Sequence, residues 1–346
     1  MATEKLPPIA ALSPLDDPLL KHEWLAIAWS SEIVPGKLLA RRLLGVDVVL
    51  WRSSEGLHCW RDLCVHRGAK LSLGTVRSAA NPPSGQTDCL VCPYHAWEYA
   101  PTGECTRIPA HPGLTPPAKA RVETFCVAER YGVVWVTGGD PAASVPEFPV
   151  AEEPGFRTVL AGPYRFRAQG PRVIENLLDV AHLGFVHAGL LGEPSRGEVE
   201  EYEVTAGTTS RGPEARQIRI WQPDPDGTGA AGLVNYHYWV DGPLTVGFVK
   251  FHGERRFGIL AQVAPVDSAT CESRLVMSLN YAHNVSDEEL IRFQDCVTEQ
   301  DRVVVESQRP ELLPLDLQAE LHLRADRMAI AYRKWLRAIG LRYGTA

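Results

Sequence analysis

Two short segments restrict this chain more than any other feature: Cys64-Val65-His66-Arg67-Gly68 and Cys92-Pro93-Tyr94-His95 each set one cysteine and one histidine in a loop marked by Gly or Pro. A lone buried Cys is usually a small hydrophobe and a lone His usually a satisfied core residue. Two Cys-His pairs are a different matter, because a thiolate and an imidazole from each loop can close on one metal centre. The fold must then bring two loops face to face. Residue types alone leave room for a tetrahedral zinc held by two Cys and two His. Eight cysteines scattered over 346 residues are too sparse for a disulfide-stapled fold, and in a reducing compartment clustered Cys and His point to metal. Cys89-x2-Cys92 is a rival thiol pair, disfavoured because Cys92 is the cysteine followed by Pro-Tyr-His.

Runs such as Val46–Trp51 and Tyr131–Val136, rich in Val, Leu and Trp and bounded by Gly, Ser and Thr, read as strands. Residues 138–155, crowded with Pro, Gly and acids, mark a linker at 141–155, and 79–88 reads as a surface loop inserted between two strands. The expected organisation is a terminal segment (1–22), a β domain (23–140), the linker and an α+β domain (156–346). In the last of these, Leu233–Val240 and Leu275–Tyr281 are strand-like. Ser286-Asp287-Glu288-Glu289 is a capping box that opens a helix stopped by Pro310, and a final helix spans about 325–339 with Gly340 beyond it.

The Cys-x-His and Cys-x2-His pattern resembles the Rieske [2Fe–2S] site. In such a centre two cysteines hold one iron and two histidines the other, which raises the potential to about −150 to +300 mV. The resemblance implies that Cys64 and Cys92 bind one iron and His66 and His95 the other. The 79–88 insertion lengthens the interval between the loops, and Ala96 stands where the family usually has Gly.

A second constellation lies in Glu175-Asn176-Leu-Leu-Asp179-Val-Ala-His182-Leu-Gly-Phe-Val-His187, where a three-residue step predicts Asp179 and His182 on one helical face, with His187 beyond a Gly-bearing break. An amphipathic helix with two incidental histidines is the plain alternative. A non-haem Fe(II) site needs two His and one carboxylate on one octahedral face. On the helix opened by Ser286, at ~100° per residue, Leu290, Phe293, Val297 and Val304 share an apolar face, and Asp301 falls within ~20° of Leu290. Asp295, Glu299 and Glu306 turn toward solvent. A carboxylate on a buried face needs a cation or strong donors, which makes Asp301 the candidate third ligand; pairing with an Arg is the alternative.

The run D-x2-H-x4-H followed far downstream by QDRVVVESQRP resembles the Rieske non-haem iron oxygenases, a resemblance that extends from Trp24 to the closing AYRKWLRAIGL. HRGAKLSLGTV and VESQRP are similar to caffeine-type N-demethylases; the saxitoxin-pathway hydroxylases look nearer still, on VLWRS, IPAHPGLTPPA, ERYGVVWV and the closing AYRKWL, and vanillate and dicamba O-demethylases look more distant. The resemblance implies a Rieske β domain followed by a helix-grip catalytic domain with an antiparallel sheet, assembled as a homotrimer. It implies His182, His187 and Asp301 as ligands of a mononuclear Fe(II), Asn176 as a polar group near that iron, and Asp179 as the residue that orients His182 and reaches His95 of a neighbouring protomer. The implied reaction is a monooxygenation with O2 of a small, alkaloid-like substrate, by hydroxylation or by N- or O-demethylation. A Rieske electron carrier with a ligand-binding second domain is the alternative. Tyr236, Tyr238 and Phe248 are expected to line the pocket or, equally, to form plain sheet core.

The chain shows no G-x-G-x-x-G after a strand, so NAD(P)H is expected to act through a separate reductase or ferredoxin donor. With 35 basic and 42 acidic residues the formal net charge is −7, which offers no field for nucleic acid or an anionic membrane. No apolar run approaches the ~18 residues of a membrane span, and the first twenty residues lack a leader pattern, so the expected location is the cytoplasm.

Overall fold

A computed structural model describes residues 16–77, 88–208 and 211–346. Thus 1–15 of the expected terminal segment and 79–87 of the expected inserted loop lie outside the described residues. Asp88, the last residue of that expected loop, is buried, and its carboxylate accepts the Ser54 N–H at 2.5 Å.

The first domain is antiparallel β, as its Val-, Leu- and Trp-rich runs require. Six strands are ordered Leu25–Trp29, Val133–Thr137, Thr124–Arg130, Gly56–Arg61, Val46–Ser53, Leu38–Leu43. A smaller sheet comprises Thr75–Arg77, Cys89–Val91, Glu98–Tyr99 and Cys105–Arg107. Between them Trp51 and Trp60 meet edge to face at 5.0 Å in a core that also holds Cys64, Cys92 and Tyr99. The two Cys-His loops therefore stand on a rigid aromatic base.

The second domain is a seven-stranded antiparallel sheet in the order Arg157–Phe166, Cys271–Leu279, Arg255–Pro265, Thr245–His252, Gly232–Gly242, Glu214–Gln222, Glu203–Thr205. Its helices are α1 (Gly170–Leu178), α2 (Asp287–Ser307) and α3 (Arg327–Ile339). The central strands are apolar on both faces because both are covered. Leu260 and Val276 pack with Trp135 of the first domain and with Phe148 and Val150 of the expected linker. That segment is packed between the sheets rather than loose: its acids and prolines hid two anchors.

The capping box forms as expected, with the Glu289 N–H donating to Ser286 Oγ and the Ser286 N–H to Glu289 Oε2, both at 3.2 Å. On α2, however, the buried positions are Val297, Thr298, Asp301 and Val305, whereas Phe293 and Val304 are exposed. Of the expected solvent-facing acids, Asp295 and Glu299 are exposed, Asp295 also accepting from Tyr164 at 2.8 Å, whereas Glu306 is half-buried, its carboxylate accepting the Arg167 N–H at 2.9 Å where the chain runs past the helix edge. Gly340 takes φ 81° and ends α3. Arg333 of α3 forks onto Glu175 of α1, with Arg172 and Glu320 completing a buried charge cluster that fixes α1.

Candidate functional site

In the first domain Cys64 and Cys92 are buried while His95 is exposed and His66 half-buried. Each loop is a tight turn: the Gly68 N–H returns to Cys64 O at 2.9 Å and the Ala96 N–H to Cys92 O at 3.1 Å. The His66 and His95 rings lie 4.6 Å apart, and His66 stacks on Trp97 at 4.5 Å. Burial and Cys64 push the Tyr99 phenol up, and its Oη lies 3.1 Å from Cys64 Sγ, placed to donate to a thiolate there. Burial and the neighbouring Cys64 hold the Cys92 thiol above its ordinary range, which the amides of Tyr94 and His95 offset only in part. These are donors suited to thiolates.

His66 Nδ1 is buried without a hydrogen-bond partner, as expected of a nitrogen meant for a metal. A single tetrahedral zinc would draw all four ligand atoms to within about 3.8 Å of one another. Among the described residues the group whose ligand atoms converge within 4.8 Å lies elsewhere, so these four suit a larger, two-iron cluster. Cys89 belongs to a strand and its thiol faces Glu98 at 4.0 Å, apart from the site.

That convergent group is His182, His187 and Asp301. The two Nε2 atoms are 3.2 Å apart, and Asp301 Oδ1 is 3.4 Å from that of His182 and 3.1 Å from that of His187. Cis ligands on an octahedral face with bonds of about 2.0–2.2 Å lie about 3 Å apart, so the triangle fits a metal. Burial pushes His187 down, but its bond to Asp301, that carboxylate's charge and Gln300 outweigh this and hold the imidazole above its ordinary range. A proton on His187 Nε2 bridges to Asp301; with both Nε2 atoms deprotonated, three acceptors this close need a cation between them.

The chain reaches this geometry by leaving the helix early. α1 ends at Leu178, so Asp179 and His182 do not share a helical face; Asp179 is extended, and its Oδ1 accepts the Ala181 N–H at 2.8 Å. A short 3-10 turn follows from His182 to Gly184. There the backbone packs tightly: a Cβ on Gly192 would come within 2.9 Å of the Gly184 Cα. Asp179 Oδ2 lies 3.4 Å from His182 Nδ1, which has no hydrogen-bond partner. Asn176 donates to Asp301 Oδ1 at 3.4 Å.

The triangle closes one end of a cavity of about 450 Å³ whose wall includes Tyr236, Tyr238 and Phe248, all three of the expected pocket residues. Sequence reasoning missed Gln300, whose Oε1 lies 2.8 Å from His187 Nδ1 and so leaves Nε2 free to face Asp301 and His182. It also missed Lys250, although strand alternation puts Lys250 on the same face as Phe248.

Residues 23–125 match the Rieske [2Fe-2S] domain family, and 166–342 match the vanillate O-demethylase oxygenase C-terminal domain family. Methylxanthine N1-demethylase NdmA of Pseudomonas putida is 32% identical over 332 residues, spanning 92% of this chain and 89% of that protein. Methylxanthine N3-demethylase NdmB of the same organism is 28% identical over 345 residues, spanning 95% and 93%. The solved structure of P. putida CBB5 NdmA with caffeine superposes with a TM-score of 0.77 at 30% identity, over 92% of this chain and 90% of that one. Dicamba monooxygenase bound to dicamba, at 23% identity and a TM-score of 0.75 over 93% of this chain and 96% of that one, shares the fold.

Proposed function

This chain belongs to the Rieske non-haem iron oxygenases with a vanillate O-demethylase-type C-terminal domain, and from that premise we propose that it oxidatively N-demethylates a planar N-methyl heterocycle. The carrying observation is the His182–His187–Asp301 triangle opening onto an apolar cavity. In this reading those three residues hold a mononuclear Fe(II), and Cys64, Cys92, His66 and His95 hold the [2Fe–2S] cluster. The bound metals together supply reductive activation of O2 and transfer of one oxygen atom into a substrate C–H bond.

The chain's own residues do the rest. Gln300 fixes the His187 tautomer, Asn176 steadies Asp301, and the aromatic wall excludes water and orients the ring. For an N-methyl group, O2, two electrons and two protons give N–CH2OH and water. The hemiaminal then loses formaldehyde and leaves N–H. Electrons are proposed to come from NAD(P)H through a separate reductase. Among similar proteins, Oxidoreductase NdmD of P. putida matches 122 residues of this chain at 38% identity.

A head-to-tail homotrimer is the proposed assembly, with Asp179 of one protomer meeting His95 of the next. Exposed apolar side chains flank the loops concerned: Leu63, Val65 and Tyr94 beside the cluster loops, and Phe185 beside His182. No described helix is long and apolar enough to cross a membrane; the proposed location is the cytoplasm, where the eight unpaired cysteines would stay reduced.

The test pairs iron analysis with a substrate screen under a surrogate reductase. About three Fe per protomer and formaldehyde release from N-methyl heterocycles are expected, with methoxybenzoates and guanidinium alkaloids as comparison sets. About two Fe per protomer would favour an electron carrier. Substrate-dependent O2 uptake without formaldehyde would replace demethylation by hydroxylation.

A further inference from the structure

Cross-strand partners share a face, so the inner wall of the catalytic sheet is a grid. Tyr238 pairs with Phe248 and Phe248 with Ile259; one step along, Tyr236 pairs with Lys250 and Lys250 with Phe257. All six line the cavity, and the rows are about 6.7 Å apart. The Lys250 row runs on through Phe257 and Leu279 to Arg157, which donates to Val285 O at 2.7 Å just before α2 starts, whereas Asp301 lies between the levels of the Tyr164–Asp295 and Arg167–Glu306 contacts, so the Lys250 row is the one farther from the metal triangle.

Lys250 is the one charge in this grid, only 8% exposed, and burial pushes its ammonium down to about 8 against the pull of Asp226 and Asp224. Its Nζ donates to Pro225 O at 2.6 Å and to Gln222 Oε1 at 3.3 Å, which uses two of its three protons. With its oxygen so engaged, Gln222 turns Nε2 to Tyr236 Oη at 2.9 Å. That phenol oxygen accepts, so its own proton remains to be donated. Seating the loop at Pro225 would explain two bonds of Lys250. It does not explain the phenol proton, for which the described residues supply no acceptor, nor the third ammonium proton, whose one further neighbour among them is the face of the Phe257 ring, 5.6 Å from Nζ to its centroid and a weak acceptor.

We infer that Lys250 and Tyr236 form a two-point donor site for an sp2 oxygen of the substrate, a ring carbonyl or a carboxylate, held at the far end of the cavity from Asp301. The enzyme thereby selects planar ring compounds whose oxygen acceptor lies opposite the carbon to be oxidised. The donor pair stands on geometry; only the identity of the reacting end rests on the proposed demethylase reading.

Calorimetry on the iron-loaded, full-length protein without O2 tests this with three probes: caffeine, which has ring carbonyls, 4-methoxybenzoate, which has a carboxylate, and 9-methylpurine, which has no exocyclic oxygen. At least one oxygenated probe should outbind 9-methylpurine and lose about 10-fold in affinity or more in Lys250→Met. Affinity for 9-methylpurine should stay within about two-fold. Which oxygenated probe responds separates carbonyl from carboxylate. Tyr236→Phe, which removes one oxygen from a buried ring, should weaken the same probe about 5-fold and carries the test should Lys250→Met not fold. The inference is overturned if neither oxygenated probe outbinds 9-methylpurine, or if the substitutions leave the responding probe unchanged or weaken all three alike. Absence of formaldehyde alongside the expected affinities would sink the demethylation and leave the donor site standing.

Discussion

Replacing Gln300 by Leu should weaken metal binding at the catalytic triangle without touching the Rieske centre. His187 is 1% exposed, and its Nδ1 meets Gln300 Oε1 at 2.8 Å, a buried hydrogen bond that fixes the proton on Nδ1 and the lone pair on Nε2. Without that acceptor the favoured proton position becomes Nε2, where Asp301 Oδ1 waits at 3.1 Å. Metal entry must then displace that proton and leave Nδ1–H buried and unpaired, at about 1–3 kcal/mol. At 1.4 kcal/mol per decade this is roughly 5- to 150-fold in affinity, in line with the 10- to 100-fold typical of such supporting partners. Fe(II) titration of dialysed protein measures it, with the visible Rieske absorption as a control for folding. Gln300→Glu retains an oxygen acceptor and should bind Fe(II) more tightly than Gln300→Leu. Affinity in Gln300→Leu within about two-fold of wild type, or equal losses in both variants, would refute the tautomer reasoning.

Asp301→Ala should keep the visible Rieske spectrum while iron content falls from about three to about two per protomer and product formation stops; retained turnover would mean that another carboxylate serves. Asp179→Asn should leave both metals bound yet slow single-turnover electron delivery, and unchanged kinetics would exclude the bridging role. Ala96 has φ 54°, left-handed backbone that costs a side-chain-bearing residue about 1 kcal/mol. After the unfolded-state entropy of glycine is deducted, Ala96→Gly should stabilise the His95 loop by roughly 0.5 kcal/mol, read as a higher urea midpoint for loss of the Rieske absorption; a lower midpoint would count against it.

The two Cys-His loops stood out in the sequence because their chemistry is local: Cys-x-His and Cys-x2-His need no knowledge of distant contacts. Asp301 stood out for a different reason, since helical geometry sets it within ~20° of Leu290, on the apolar side of the helix. Its neighbours were less legible. Phe293 and Val304 look apolar in sequence yet are exposed, while Val305 is buried, because α2 leans on the strand Arg157–Phe166 along a narrower line than its apolar residues suggest. The early exit of the chain at Asp179 was hidden as well. Nothing in Asp179-Val-Ala-His182 forbids a helix; the turn is set by the Asp179 carboxylate on the Ala181 amide and by the close approach of Gly184 and Gly192. Lys250 was hidden by habit: a lysine in a strand is expected on the wet face, and only pairing with Tyr236 and Phe257 shows it turned inward.

Buried sulfurs on one side, and an exposed His95 beside a half-buried His66 on the other, give the first domain a dry pole and a wetter one. A cluster seated there would meet water, protons and chelators at its histidine iron, while the cysteine iron stays sealed behind Tyr99 and the tryptophans. Wear in acid or under a chelator should therefore run in one direction, histidine side first. Electrons too would have only one short doorway, and a docking partner has to find that face to use it.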